Sequence, residues 1–220
     1  MATVEPGEVR SRFPKSQPQD CDSMENILAD FNEIVLPGIT HWQHPRFFAY
    51  FPATTSGPSI LAELLSAGLG VNAMIWQTST AATEVEEVVM DWLRQMLGLP
   101  AGFRGAIHDT ASTATLCALL CARERKSRFE INEKGFSWWS SEKAMRIYTS
   151  SEAHSSVEKG LRIAGFGSRN MVKVPVDSNY AMDPAALERC IAADLDEGLI
   201  PCCVCATSTA RRFSAVIRRY

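Results

Sequence analysis

The chain has 220 residues, 46% of them apolar, with 22 basic against 25 acidic side chains and a formal net charge of −3. That is enough for one large core or two small ones, and with no basic block before the last few residues it argues against a nucleic-acid or membrane-surface partner. No apolar run reaches the ~18 residues of a bilayer span, and the opening MATVEPGEVRSRFPKSQPQD lacks a secretory signal's apolar stretch, so the expected location is cytoplasmic.

The first twenty residues, rich in Pro, Ser, Gln and charge, read as an extended arm. From Asp22, apolar positions 24, 27, 28, 31, 34 and 35 recur at helical spacing until Pro37 and Gly38, which predicts an amphipathic helix. HWQHPRFFAYFP, 41–52, is too aromatic and too punctuated by proline for a regular element and reads as a loop with a short extended piece. PSILAELLSAGLG, 58–70, predicts a helix, and TAATEVEEVVMDWLRQMLGLP, 80–100, predicts the most sharply patterned one. There Val85, Val88, Val89, Trp92, Leu93, Met96 and Leu97 form one stripe, and Gly98 with Pro100 ends it.

From Gly105 strands and helices alternate. GAIHDT, 105–110, precedes the helix ASTATLCALLCARERK; AMRIYTS, 144–150, precedes SSVEKGLRIAG. MVKVPV, 171–176, precedes a helix opened by Asp183 as N-cap and Pro184 in the first turn, and LIPCCVCAT, 199–207, follows. This order predicts an α/β fold with a predominantly parallel sheet and crossover helices. The seven cysteines, at 21, 117, 121, 190, 202, 203 and 205, are odd in number and scattered, unlike a disulfide framework. They lack zinc-ligand spacing, so they read as small buried thiols and no metal is expected.

In a parallel sheet, ligands bind where strands end and helices begin, because helix N-termini present free N–H groups. HDTASTAT, 108–115, stands at such a place; its small hydroxylated residues suit either a phosphate or plain N-capping. His154 stands at the corresponding place one unit later, before SSVE, 155–158, which fits a capping box. A capping box accounts for Ser155 and Glu158 but not for the histidine, whose flat ring suits stacking, hydrogen bonding or proton transfer, or merely a surface position. The rings of 41–52 suit a core or an apolar pocket for a flat side chain.

Four segments in this order, HWQHPRFFAYFP, NAMIWQTSTAATEVEEVVMDWL, DTASTATLCALL and EAHSSVEKG, resemble the pyridoxal-phosphate-dependent group II decarboxylases, in their aromatic-L-amino-acid branch. The resemblance runs from about Val4 to Thr207. It implies the type I fold of pyridoxal-phosphate-dependent transferases, aspartate-aminotransferase-like, with a mostly parallel central sheet flanked by helices, truncated here, and a homodimer in the complete protein. Residues 1–57 would be an arm, helix and aromatic pocket segment, 58–207 part of the large cofactor-binding domain, and 208–220 an aberrant tail.

The resemblance further implies pyridoxal 5′-phosphate as cofactor, with Ala111 and Ser112 at its phosphate, His154 stacked on its ring as a catalytic residue, and Thr207 near it. Trp42, Tyr50, Phe51 and Pro52 match the substrate pocket, with Asn72 and Met74 lining it from the partner subunit. The Tyr-Phe-Pro turn points to an aromatic L-amino acid; His108 departs from the family's glutamine. The family's lysine, pyridine-nitrogen aspartate and loop tyrosine are expected beyond residue 207, so the chain reads as an N-terminal fragment, inactive by itself. The implied reaction is decarboxylation; an aromatic aldehyde synthase and a non-catalytic binding or dimerising fragment are the alternatives. The tail TSTARRFSAVIRRY departs from the family's Ala-Thr-x-Gly-Thr-Thr pattern and reads as a frameshift, since suitable codons for 209–212 contain Gly-Thr-Thr in another frame.

Overall fold

The computed structural model describes residues 2–50, 55–136 and 144–206, and the chain divides into two compact units, Met1–Asn72 and Ala73–Tyr220. In the first, the expected arm contains a short helix α1, Glu8–Ser11, and turns back on the segment that follows. Arg12 Nη1 donates to the Glu33 carbonyl at 2.6 Å, and the Thr3 N–H donates to the Pro37 carbonyl at 3.2 Å. The amphipathic helix forms as α2, Met24–Asp30, capped by Ser23, and continues through a wider turn at Phe31–Val35. Helix α3, Gly57–Leu69, opens with a reciprocal cap: Ser56 Oγ accepts the Ser59 N–H while Ser59 Oγ accepts the Ser56 N–H.

The second unit starts with α4, Thr80–Met96, whose chain leaves through Gly98 in the left-handed region at φ 65°. Its apolar stripe, which the periodicity predicts to face a core, is exposed: Val85 is 61% and Trp92 56% accessible. The elements that follow are α5, Ala111–Ser127; α6, Glu130–Lys134; β1, Met145–Ser150; α7, Ser155–Ile163; β2, Met171–Val174; α8, Pro184–Asp196; and β3, Ile200–Cys205. The three strands form a parallel sheet in the order β2-β1-β3.

Residues 105–110, expected as a strand, make no ladder among the described residues. Ile107 N–H donates instead to the Glu86 carboxylate at 2.7 Å, so a side chain satisfies the backbone group that a neighbouring strand would take. Alternation along β1 sends Met145 and Ile147 to one face, against Leu119 and Leu161 of α5 and α7, and Tyr148 to the other, against Val174 and Ala186. On that second face Tyr148 Oη donates to Asp194 Oδ2 at 2.6 Å and Arg146 pairs with the same carboxylate at 3.2 Å, tying β1 to the end of α8. Asp183 caps α8, accepting the N–H groups of Ala185 and Ala186, with Pro184 in the first turn as its sequence predicts. No helix among the described residues is long and apolar enough to cross a membrane.

Candidate functional site

Chain order and sheet order diverge at β1: the chain passes from β1 to β2 on one side and then returns to β3 on the other. The carboxyl end of β1 is therefore the switch point at which open α/β sheets leave a crevice. His154 lies there, four residues after Ser150 ends the strand.

The start of α7 differs from the capping box that SSVE suggests. His154 itself is the N-cap, with extended backbone at φ −61° and ψ 145°, and its Nδ1 accepts the Ser156 N–H at 3.2 Å. Nδ1 is also 2.9 Å from Ser156 Oγ. A nitrogen that accepts an N–H cannot carry the proton of a neutral imidazole, so that proton is on Nε2. Glu158 does not turn back to the N-cap; it pairs with Arg162 one turn on. Ser156, buried beneath the exposed His154, is the site residue that motif reading missed; its signal was its position two residues after a histidine at a helix start.

Helix α5 is presented to the same place. Arg123 Nη1 donates to the Ala164 carbonyl at 2.8 Å, a separation of 41 residues. Leu119 meets Gly160 at the same separation, so closely that a Cβ added at Gly160 would stand 2.9 Å from Leu119 Cδ1. Two contacts in step mean that α5 and α7 run side by side in the same direction. The α5 backbone nearest that Cβ is Leu116, whose Cα stands 3.8 Å away.

Thr110 caps α5, its Oγ1 accepting the Thr113 N–H at 3.2 Å, and Thr115 Oγ1 turns back to the Ala111 carbonyl at 2.8 Å. The N–H groups of Ala111 and Ser112 keep no protein acceptor among the described residues, and both residues are exposed. Two free N–H groups, a serine hydroxyl and the positive end of a 17-residue helix suit a phosphate, and the imidazole at the start of α7, with its Nε2 proton, suits a flat ring. The donor set thus fits a phosphorylated aromatic cofactor.

In the first unit, Trp42 stacks on Phe47, with ring centroids 5.2 Å apart, and on Tyr50, 5.5 Å apart and 8° from parallel. Tyr50 sits in the left-handed region at φ 59° and is 81% exposed. Of the expected pocket residues the structure therefore brings Trp42 and Tyr50 together. Asn72 ends that unit, and Met74 is exposed near the start of the second. Phe51, Pro52, Thr207 and the tail 208–220 lie outside the described residues.

Comparison with known proteins shows the family of the chain. Residues 6–212 match the pyridoxal-dependent decarboxylase conserved domain, and the chain belongs to that family. It is 39% identical over 224 aligned residues to tryptophan decarboxylase 2 of Oryza sativa subsp. japonica, covering 98% of this chain and 44% of that protein. Rattus norvegicus histidine decarboxylase is 40% identical over 93% of this chain and 32% of its own length. The crystal structure of Rhodiola rosea 4-hydroxyphenylacetaldehyde synthase superposes with a TM-score of 0.79 and 37% identity, over 92% of this chain and 44% of that one. The fold is that of the solved structures of this family, tryptophan decarboxylases among them, and the chain spans less than half the length of these relatives.

Proposed function

We propose that the protein binds pyridoxal 5′-phosphate and serves the decarboxylation of an aromatic L-amino acid. The observation that most supports this reading is the parallel pairing of α5 and α7, one starting with the free N–H groups of Ala111 and Ser112 and the other with the His154 ring. When bound, the cofactor supplies a protonated pyridine ring that takes up the electrons released as carbon dioxide leaves.

The chain's own part is orientation. Ala111 and Ser112 hold the phosphate through backbone N–H groups and the helix dipole. His154 would cover one face of the ring, its Nε2 proton directed away from Ser156, and Thr207 would serve the same cofactor. Trp42, Tyr50, Phe51 and Pro52 receive the substrate's ring, with Asn72 and Met74 contributed across a homodimer in the cytoplasm. On this reading 1–57 serves the substrate and 58–207 the cofactor. No lysine of the chain is assigned to carry the cofactor, and binding and orientation are the roles proposed for these residues.

The likeness to an aldehyde synthase supports a second outcome at the same site, aldehyde in place of amine. The test is a panel of carboxyl-labelled amino acids, assayed with the gene's full product and pyridoxal 5′-phosphate, with amine and aldehyde measured separately. Label is expected from tryptophan, tyrosine, phenylalanine or DOPA. Release confined to glutamate overturns the substrate assignment.

A further inference from the structure

Strand β3 gathers three thiols on one face, where a regular strand would divide them. Arg146 pairs with Pro201, but Ile147 pairs with Cys203, which leaves Cys202 as an extra residue opposite no partner. Because side chains alternate between faces, one extra residue reverses the phase. Ile200 and Cys202 before the bulge therefore point the same way as Cys203 and Cys205 after it. All four are part-buried against the cluster around Leu119 and Ile147, whereas Val204 on the opposite face is 44% exposed.

Cys202 and Cys203 are thus neighbours in the chain with side chains packed on one face. The neighbouring Cys203 thiol, with the Lys126 charge, holds Cys202 below the usual thiol range, while the Cys202 thiol first, opposed by Cys205 and then joined by burial, pushes Cys203 up to about 12. Cys202 ionises first and Cys203 remains a donor. A disulfide between them is disfavoured: consecutive Cα atoms lie ~3.8 Å apart, against roughly 4.4–6.8 Å across an ordinary disulfide, so closing it needs a strained eight-membered ring. Among the described residues no three His, Cys, Asp or Glu side chains are arranged to hold a metal ion. What remains is a pair of soft donors that close on each other only through a strained, readily reduced ring.

We propose that Cys202 and Cys203 form a dithiol site for a trivalent arsenical with two open positions. With phenylarsine oxide the Cys202 thiolate attacks arsenic, Cys203 closes the chelate, and two As–S bonds replace two S–H bonds. Both thiol protons leave with the arsenic-bound oxygen as one water, and neither sulfur nor arsenic changes oxidation state.

The full chain is titrated with phenylarsine oxide and read by intact mass spectrometry, with circular dichroism recording the fold. One equivalent is expected per chain, surviving excess monothiol and removed by a 1,2-dithiol. Cys202→Ser and Cys203→Ser are each expected to lower retention at least tenfold, and Cys205→Ser and Cys121→Ser to leave it unchanged. Retention in both single variants, or loss in Cys205→Ser, overturns the proposal. Should a variant fail to fold, peptide mapping of the wild-type adduct decides: arsenic anywhere other than on the 200–205 strand contradicts the assignment.

Discussion

The Ser156 N–H donates to Nδ1 of His154 over 3.2 Å, so one hydrogen bond both starts α7 and fixes which imidazole nitrogen carries the proton. Cap and ring are separable by mutation. Asparagine is a good N-cap, so His154→Asn is expected to keep stability within about 0.5 kcal/mol, while His154→Ala costs about 1 kcal/mol. Nitrogen-15 NMR of the four histidines checks the tautomer directly, with the Nε2–H form expected for His154. The Nδ1–H form would contradict it.

Tyr148 supports the same strand from its other face. Burial, and then its hydrogen bond to the Asp194 carboxylate, raise its pKa well above the ordinary 10.0. Below that value both folded and unfolded states keep the phenol proton; above it only the unfolded state loses it, so stability falls as pH rises from about 10. Tyr148→Phe is expected to cost about 1–2 kcal/mol at neutral pH and to flatten that alkaline loss. Asp194→Ala, which strands both Tyr148 and Arg146, is expected to cost about 2–3 kcal/mol. Urea unfolding at pH 7 and at pH 10.5 or so measures both.

Gly160 sets the spacing of α5 and α7. A β-branched side chain there would strike Leu119, which is only 1% exposed and has no room to withdraw. Gly160→Val is expected to cost about 2–3 kcal/mol and to weaken phosphate capture at Ala111, because the helices can relieve the clash only by shifting. Unchanged stability by denaturant titration would show that the two helices are not held in step.

The exposed stripe of α4 carries a consequence for behaviour in solution. Val85, Trp92 and Met96 are 61%, 56% and 79% accessible on one helix face, and uncovered apolar surface of this kind associates. Val88→Lys with Trp92→Lys is expected to reduce self-association in sedimentation velocity without loss of helicity. Association unaltered by the pair would place the adhesive surface elsewhere.

How much of this was legible in the sequence depended on whether the cause was local. The cap at Asp183 and the helix from Thr80 follow from nearby residues and stand where the patterns predict, and the caps at Ser23 and Thr110 are equally local. The bulge at Cys202 is set by the register against Arg146 and Ile147, some 55 residues away in sequence, so LIPCCVCAT reads as a plain strand. GAIHDT failed as a strand for a similar reason: its composition suits one, but pairing needs a neighbour, and Glu86 takes the Ile107 N–H instead. His154 itself was legible as an anomaly at a helix start, whereas its hydrogen bond to Ser156 needed coordinates.

Ala111, Ser112 and His154 are proposed to form one cofactor site. Calorimetric titration of the chain with pyridoxine 5′-phosphate, which lacks the aldehyde and so cannot react with lysines, tests it most directly. One saturable site is expected, lost when the phosphate is removed from the ligand and weakened at least tenfold in His154→Asn, whose helix cap is intact. Equal binding of pyridoxine and its phosphate, or full affinity in His154→Asn, would contradict it.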